Sequence, residues 1–314
     1  MTPQERLDTG VLVVGAGFLG CRVAAGFLEA GSPVSILARS EPNQETAGRL
    51  AGARILRGDA GDSELFEDAL ADHCEVVWCA GGLLPHESKS NPARDLIGAV
   101  LPLLGALEVL THHRGVGLTF FSSGGALYGN PVTLPVPEVH PAHPLTPYAV
   151  SKATAEQYLA LYHELHGIPS LVLRCSNVYG PGQRGNRSQG FIAAALEAVR
   201  AERPVVVLGD GSAVRDYIHV GDVVDVLLAL AGRRDLPRVV NLGTGHGTSI
   251  HELLGLIGEV TGRPVSTETR PRRLGDVERI VLDITVLRTL MPFCPRELRD
   301  GLAVTWSELQ HDAH

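Results

Sequence analysis

The sequence predicts an α/β protein, a doubly wound parallel sheet with a smaller α/β lobe. Three observations predict it. Short apolar runs alternate with helical patterns from residue 11 to residue 175. Most of those runs are apolar on both faces, as strands covered on two sides must be. The first run passes straight into Gly15, Gly17 and Gly20, a G-x-G-x-x-G turn, and a helical stretch follows.

The elements follow in order. VLVVG (11–15), VSILA (34–38), ARILRG (53–58), EVVWCA (75–80), LTFFSS (118–123) and SLVLRC (170–175) read as strands. Helical patterns lie between them, near 18–30, 63–72, 93–113 and 148–166, with Pro102 expected to kink the third. Strand and helix in alternation imply right-handed crossovers and helices on both faces of one sheet. Past residue 180 the pattern loosens. A polar loop, QRGNRSQG (183–190), precedes a helix near 190–201, strand VVVLG (205–209), a helix near 221–231, strand VVNLGTG (239–245) and a helix near 249–261. We expect a dinucleotide-binding domain over 1–175, with later returns near 205–224 and 236–248. Residues 176–314 should form most of the second, substrate-binding lobe.

Composition narrows the function classes. The 314 residues are 44% hydrophobic and 20% charged, as in a soluble globular protein. A net charge of −8 argues against general affinity for nucleic acid or anionic membrane. No apolar run is long enough to span a bilayer, and the polar start MTPQERLDTG lacks a secretory pattern. Five cysteines without a C-x-x-C pair read as reduced thiols of a cytoplasmic protein. Thirteen histidines show no H-E-x-x-H spacing, so no metal is expected.

The glycine turn points to a dinucleotide. It permits close approach of backbone to a pyrophosphate, while the helix N-terminus supplies amide donors and a positive dipole end. The second strand of such a fold usually ends in an acid that binds the adenosine ribose. Here Ala38-Arg39-Ser40 stands instead, and Arg39 suits adenine stacking or a ribose 2′-phosphate, which favours NADP more than an acid would. Asp59, after the third strand, is placed to meet the adenine amino group.

The chemistry points to Tyr148 and Lys152. At i and i+4 of one helix they share a face. A nearby ammonium and a cationic nicotinamide both favour tyrosinate, so the phenol is expected to titrate closer to working pH. It can then move a proton while a cofactor moves hydride.

With these residues in place, the chain resembles the extended short-chain dehydrogenase/reductases of the NAD-dependent epimerase/dehydratase type, and among them the UDP-glucose 4-epimerase-like nucleotide-sugar epimerases. The resemblance covers roughly residues 11–290. GAGFLG, GDAGD, SSGGALYG with PYAVSK, LRCSNVYGPGQ, GDGSAVRDYIHVGDV and RRLGDV carry it, in that order. It implies a Rossmann-type large lobe with tightly held NAD, and a UDP-linked sugar between the lobes. It implies hydride transfer from sugar C4, turnover of the 4-keto sugar, and return of hydride to the other face. On this likeness Tyr148 is base then acid, Lys152 holds the cofactor ribose, and Ser122 and Ser123 belong to the catalytic strand end. The cofactor would meet Gly15, Gly17, Phe18, Leu19, Gly20, Arg39, Asp59, Ala60, Cys79, Ala80, Gly81, Tyr148, Lys152 and Ser176. Asn177, Arg184, Val207, Arg215, Arg273 and Asp276 would bind substrate, the arginines by matching phosphate oxygens with their donor forks. Relatives of this type often pair through two helices, here near 94–113 and 148–166, so a homodimer is expected.

Five positions depart from the pattern. Gly124 and Ala126 stand where the family carries a Ser or Thr that relays a proton to the tyrosine. Ala99 replaces an asparagine, Val14 a glycine and Arg39 the ribose-binding acid. Ser123 is the nearest substitute hydroxyl, but strand alternation turns it away from the face of Ser122. Two rival readings follow, an NADP-dependent sugar or carbonyl reductase and a catalytically weak nucleotide-binding sensor. Dehydratase chemistry fits less well, because Gly125-Ala126 stands where those relatives have Asp-Glu.

Overall fold

The structure is a computed structural model that describes residues 2, 5, 8–41, 48–185 and 190–311; residues 186–189 of the QRGNRSQG loop lie outside it. Its strands are β1 (Val11–Val14), β2 (Val34–Ala38), β3 (Arg54–Arg57), β4 (Glu75–Trp78), β5 (Gly117–Ser123), β6 (Ser170–Cys175), β7 (Asn177–Tyr179), β8 (Val205–Leu208), β9 (Val214–Arg215), β10 (Tyr217–His219), β11 (Val239–Leu242), β12 (Thr248–Ser249) and β13 (Thr267–Arg270). Two compact units form: Met1–Ser122 with Pro147–Arg174 and Val224–Val240, and Ser123–Thr146 with Cys175–Val223 and Asn241–His314.

The first unit is built on a seven-stranded sheet in the order β11-β6-β5-β4-β1-β2-β3. The pairings of β1 with β2 and β4, of β2 with β3, and of β4 with β5 are all parallel. The chain winds outward from β1 to β3, then restarts beside β1 with β4 and winds the other way. The connections that leave the carboxyl ends of β1 and β4 therefore run in opposite directions along the sheet, and such a switch point is where this architecture binds ligands. Strands β1, β2 and β4 are buried at every position, as largely apolar strands covered on both faces are, and Ser35 of β2 and Glu75 of β4 are buried with them. The outermost strand β3 is different. Arg54, Ile55 and Arg57 are exposed, and charge at an open edge discourages pairing with another chain.

The helices follow the apolar periodicity. Phe18–Glu29 buries Val23, Ala24 and Phe27, and Pro92–Leu110 buries Leu103, Ala106, Leu107 and Leu110. The latter helix runs continuously through Pro102. Pro147 opens the Pro147–His166 helix at a first-turn position, where its missing N–H costs nothing.

The second unit has its own core, in which Tyr179, Leu196, Val199, Val207, Leu253, Ile257, Leu302 and Trp306 pack together. Its strands pair in twos, β8 with β13, β7 with β10, and β9 with β12. The return to the large sheet expected near 205–224 is therefore not made by VVVLG. Strand β8 pairs with β13 and lies wholly in the second unit. Alternating burial along β8, with Val206 exposed, marks a two-stranded ribbon rather than a covered sheet strand. The return is made by residues 224–240. Among the described residues no helix is long and apolar enough to cross a membrane, and no group of three His, Cys, Asp or Glu could hold a metal ion.

Candidate active site

At the end of β1, Gly15 has φ +104°, which strongly favours glycine, and a Cβ there would lie 2.9 Å from the Ala80 amide nitrogen. A Cβ on Gly20 would lie 1.9 Å from the Gly15 carbonyl oxygen, so the helix can press against the turn only without one. Gly17 behaves differently. A Cβ there would meet nothing within 4 Å, so packing within the chain does not require glycine. Gly17 caps the Phe18–Glu29 helix without a side-chain bond, which leaves the first-turn amides to other acceptors. An open helix N-terminus beside a glycine that the chain itself does not need fits a pyrophosphate.

The remaining cofactor-side residues surround this turn. Phe18 and Leu19 are half-buried in the first helical turn, and Cys79, Ala80 and Gly81 are half-buried after β4. Cys79 donates its amide to the Val14 carbonyl at 2.9 Å, extending β4 alongside β1. Arg39 is exposed at the end of β2. Asp59 is exposed after β3, and its Oδ1 accepts from the Gly61 amide at 2.9 Å. The Ala60 methyl packs in the main core, so only its backbone is offered to a ligand.

Tyr148, Lys152 and Glu156 follow one another at i, i+4 and i+8 along the Pro147–His166 helix and form a single row. Lys152 is buried, and its Nζ donates to the Phe121 carbonyl at 2.7 Å, 4.6 Å from the centroid of the Phe120 ring. The ammonium is thereby fixed at the end of β5. Ser122, the next residue, donates its hydroxyl to Glu156 Oε1 at 2.5 Å. Arg174, from the neighbouring strand β6, grips the same carboxylate through Nε at 3.1 Å and Nη2 at 2.6 Å. Ser122, Glu156 and Arg174 are at most 9% exposed.

A second buried carboxylate supports the other flank. Asp95 is 0% exposed; its Oδ1 accepts from the Leu83 amide and its Oδ2 from the Ser151 hydroxyl, each at 2.7 Å. It ties the loop after β4 to the residue before Lys152. The Tyr148 amide donates to Ser88 Oγ at 3.2 Å, which anchors the start of the same helix. Glu156, Arg174 and Asp95 do not stand out in the sequence. Only the continuation of the Tyr148–Lys152 row by one turn to Glu156 signals any of them.

In the second unit, β5 ends at Ser123, which precedes a short helix, Gly124–Leu127, without capping it through its side chain. Gly124 is buried and Ala126 half-buried, and neither carries a hydroxyl. Asn177 is exposed, and its Oδ1 would lie 3.0 Å from a Cβ on Gly125, so glycine there gives the amide its place. Ser176 is buried, and among the described residues its hydroxyl finds no partner.

Arg215 lies against the RRLGDV segment. Its Nη2 donates to the Val277 carbonyl at 2.5 Å and its Nη1 to those of Val214 and Glu278 at 2.9 and 3.2 Å. Burial lowers its pKa, opposed by the nearby Tyr217 and Asp276. Arg215 and Asp276 are thus brought together, whereas Arg273 and Arg184 are exposed. It is Arg272, not Arg273, that pairs with Glu278, at 2.9 Å. Val207 lies in the apolar core of this unit at 5% exposure, so its side chain is not offered to a ligand.

The model of the NAD dependent epimerase/dehydratase family matches residues 11–243. The UDP-glucose 4-epimerase of Azospirillum brasilense is 33% identical over 98% of this chain and 94% of its own. A crystal structure of UDP-glucose 4-epimerase from Thermotoga maritima with UDP-glucose superposes with a TM-score of 0.90 at 31% identity, over 97% of this chain and all of that one. The UDP-glucose 4-epimerase of Thermus thermophilus, in complex with NAD, superposes with a TM-score of 0.86 at 30% identity, over 96% of this chain and 99% of that one. The chain belongs to the NAD-dependent epimerase/dehydratase family. Within it, it is an enzyme of the UDP-glucose 4-epimerase-like, NAD-dependent isomerase type.

Proposed function

We propose that the enzyme epimerises C4 of a UDP-hexose or UDP-hexuronate through a 4-keto intermediate. The carrying observation is the row of Tyr148 and Lys152, with the lysine ammonium fixed on the Phe121 carbonyl at 2.7 Å beside a glycine turn fit for a pyrophosphate. Bound NAD supplies a reversible hydride acceptor. Tyr148 takes the sugar hydroxyl proton and later returns it. Lys152 keeps positive charge close to the phenol, favouring its ionised form, and holds the cofactor ribose. The turn at Gly15, Gly17 and Gly20 receives the pyrophosphate, and Arg39 and Asp59 receive the adenosine end. Asn177, Arg215, Arg273, Asp276 and Arg184 form the diphosphate and nucleoside side. Arg215 fits its part because its guanidinium is already oriented by three backbone carbonyls.

The relay hydroxyl missing at Gly124 and Ala126 is replaced in this reading by a water or by direct contact of the sugar hydroxyl with Tyr148. The same absence, with Arg39, supports a second reading, net reduction of a keto sugar with NADPH. Incubation with UDP-glucose, UDP-galactose, UDP-GlcNAc and UDP-glucuronate, followed by NMR, separates the two. We expect the 4-epimer of one of them without added cofactor. No turnover of any would remove the substrate class, and stoichiometric consumption of NADPH would favour the reductase.

We place the enzyme in the cytoplasm as a homodimer. Leu96, Ile97 and Leu101 of one helix and Leu161 and Leu165 of the other are 43–66% exposed, an apolar surface suited to a two-fold contact. A monomer at all concentrations in sedimentation analysis would exclude the dimer.

A further inference from the structure

We propose that Glu156, held by Arg174, is a positioning residue for the proton-transfer helix, and that it acts by accepting the hydrogen bond that the Ser122 hydroxyl donates. The proposal rests on the assignment of Tyr148 and Lys152 to the chemistry.

Two consecutive residues of β5 bond to two residues one turn apart on the helix. The Phe121 carbonyl accepts from Lys152 Nζ at 2.7 Å, and the Ser122 hydroxyl donates to Glu156 at 2.5 Å. The two bonds run in opposite senses, one donated by the helix and one accepted by it. Rotating or sliding the helix strains both together. Tyr148 stands one turn further along the same row, so its phenol inherits that register. Arg174 prevents Glu156 from turning elsewhere, because its donor fork already engages the carboxylate from β6.

A carboxylate paired with arginine can only accept hydrogen bonds, and serine has a single hydroxyl proton. Ser122 therefore spends its proton on Glu156 and presents lone pairs to whatever it meets on its other side. It does not donate to a proton relay. The strand-end hydroxyl missing at Gly124 and Ala126 is not replaced by Ser122.

A buried ion pair is by itself weak evidence of stabilisation, since apolar residues of similar volume often do as well. An orienting role leaves a mark that a structural role does not. Misplacement of reacting groups by about 1 Å can cost on the order of 100-fold in rate.

The test is a double-mutant cycle with Ser122→Ala and Glu156→Gln, reading kcat and KM for the UDP-sugar that is turned over. We expect Glu156→Gln to lower kcat by about 10- to 100-fold with KM changed by less than about threefold. In the Ser122→Ala background the same substitution should lower kcat by less than about threefold, because its route of action is gone. An equal loss in both backgrounds would overturn the proposal.

A second variant covers the case in which Glu156→Gln does not fold. Glu156→Leu with Arg174→Met removes both charges and fills the space. It should melt within about 5 °C of wild type yet lose kcat as Glu156→Gln does. Wild-type kcat in that variant would also overturn the proposal. If wild type turns over no UDP-sugar, the reaction assignment fails separately. The cycle is then read in the dissociation constant for NADH by fluorescence, where the same non-additivity is expected and full additivity contradicts the positioning role.

Discussion

The helix that carries Tyr148 and the segments of the second unit that carry Arg184, Arg215 and Arg273 are organised in opposite ways. Around Lys152 nearly everything is buried and bonded: Ser122, Glu156, Arg174, Ser151 and Asp95 are at most 9% exposed, and their polar atoms are paired with one another or with backbone. In the second unit Arg184, Arg273 and Asn177 are exposed, and Arg215 is held by backbone carbonyls rather than by an acid. One region is set before any ligand arrives. The other offers cations and amides whose natural counterpart is an anion. Proton transfer needs fixed geometry, whereas recognition of a diphosphate needs charge within reach.

The largest expected effect breaks the chemistry without disturbing the structure. Tyr148→Phe should lower kcat by about 10²- to 10⁴-fold while leaving the melting temperature within about 2 °C, checked by steady-state kinetics and calorimetry. Retention of most activity would move the acid–base role to another residue. Next comes Asp95→Ala, which strips the acceptors from the Leu83 amide and the Ser151 hydroxyl. We expect a loss of about 2–3 kcal/mol in denaturant unfolding, well above the fractions of a kcal/mol typical of surface changes.

The second region should respond in binding instead. Arg215→Ala should raise KM by about 10- to 100-fold and also lower stability, since three carbonyls lose their donor. Arg273→Ala should raise KM by about 3- to 10-fold with no change in melting, as an exposed side chain allows. Equal effects of the two on stability would erase the distinction drawn between them. The smallest effect is expected from Ala126→Thr, which supplies a hydroxyl of the kind the family carries. A change in kcat within about threefold would show that this site works without that relay, and a large gain would show that a relay was missing.

Much of the first unit was legible in the sequence, because each of its strands announces itself locally. VLVV before Gly15 needs no partner to be recognised as a buried strand, and the spacing of Tyr148 and Lys152 is enough to put them on one face of the Pro147–His166 helix. The support beneath them was not legible. Asp95 sits among arginine, leucine and isoleucine, and nothing nearby says that it will be wholly buried, since its partners Leu83 and Ser151 are 12 and 56 residues away. Strand β8 misled for a related reason. VVVLG has the composition of a covered strand, but its partner β13 is TETR, exposed at every position, and only the pairing shows that the two form a separate ribbon. Val207 was expected at the substrate and lies in the core, because a sequence pattern does not tell a side-chain contact from a backbone one.

The most direct measurement follows the hydrogen at C4. Purified enzyme without added cofactor is given the UDP-sugar that it epimerises, deuterated at C4, and both epimers are read by NMR. We expect deuterium to remain at C4 of substrate and product alike, as the proposed transfer of hydride from C4 to bound NAD and back requires. Loss of the label to water would contradict the 4-keto route and the roles given to Tyr148 and Lys152.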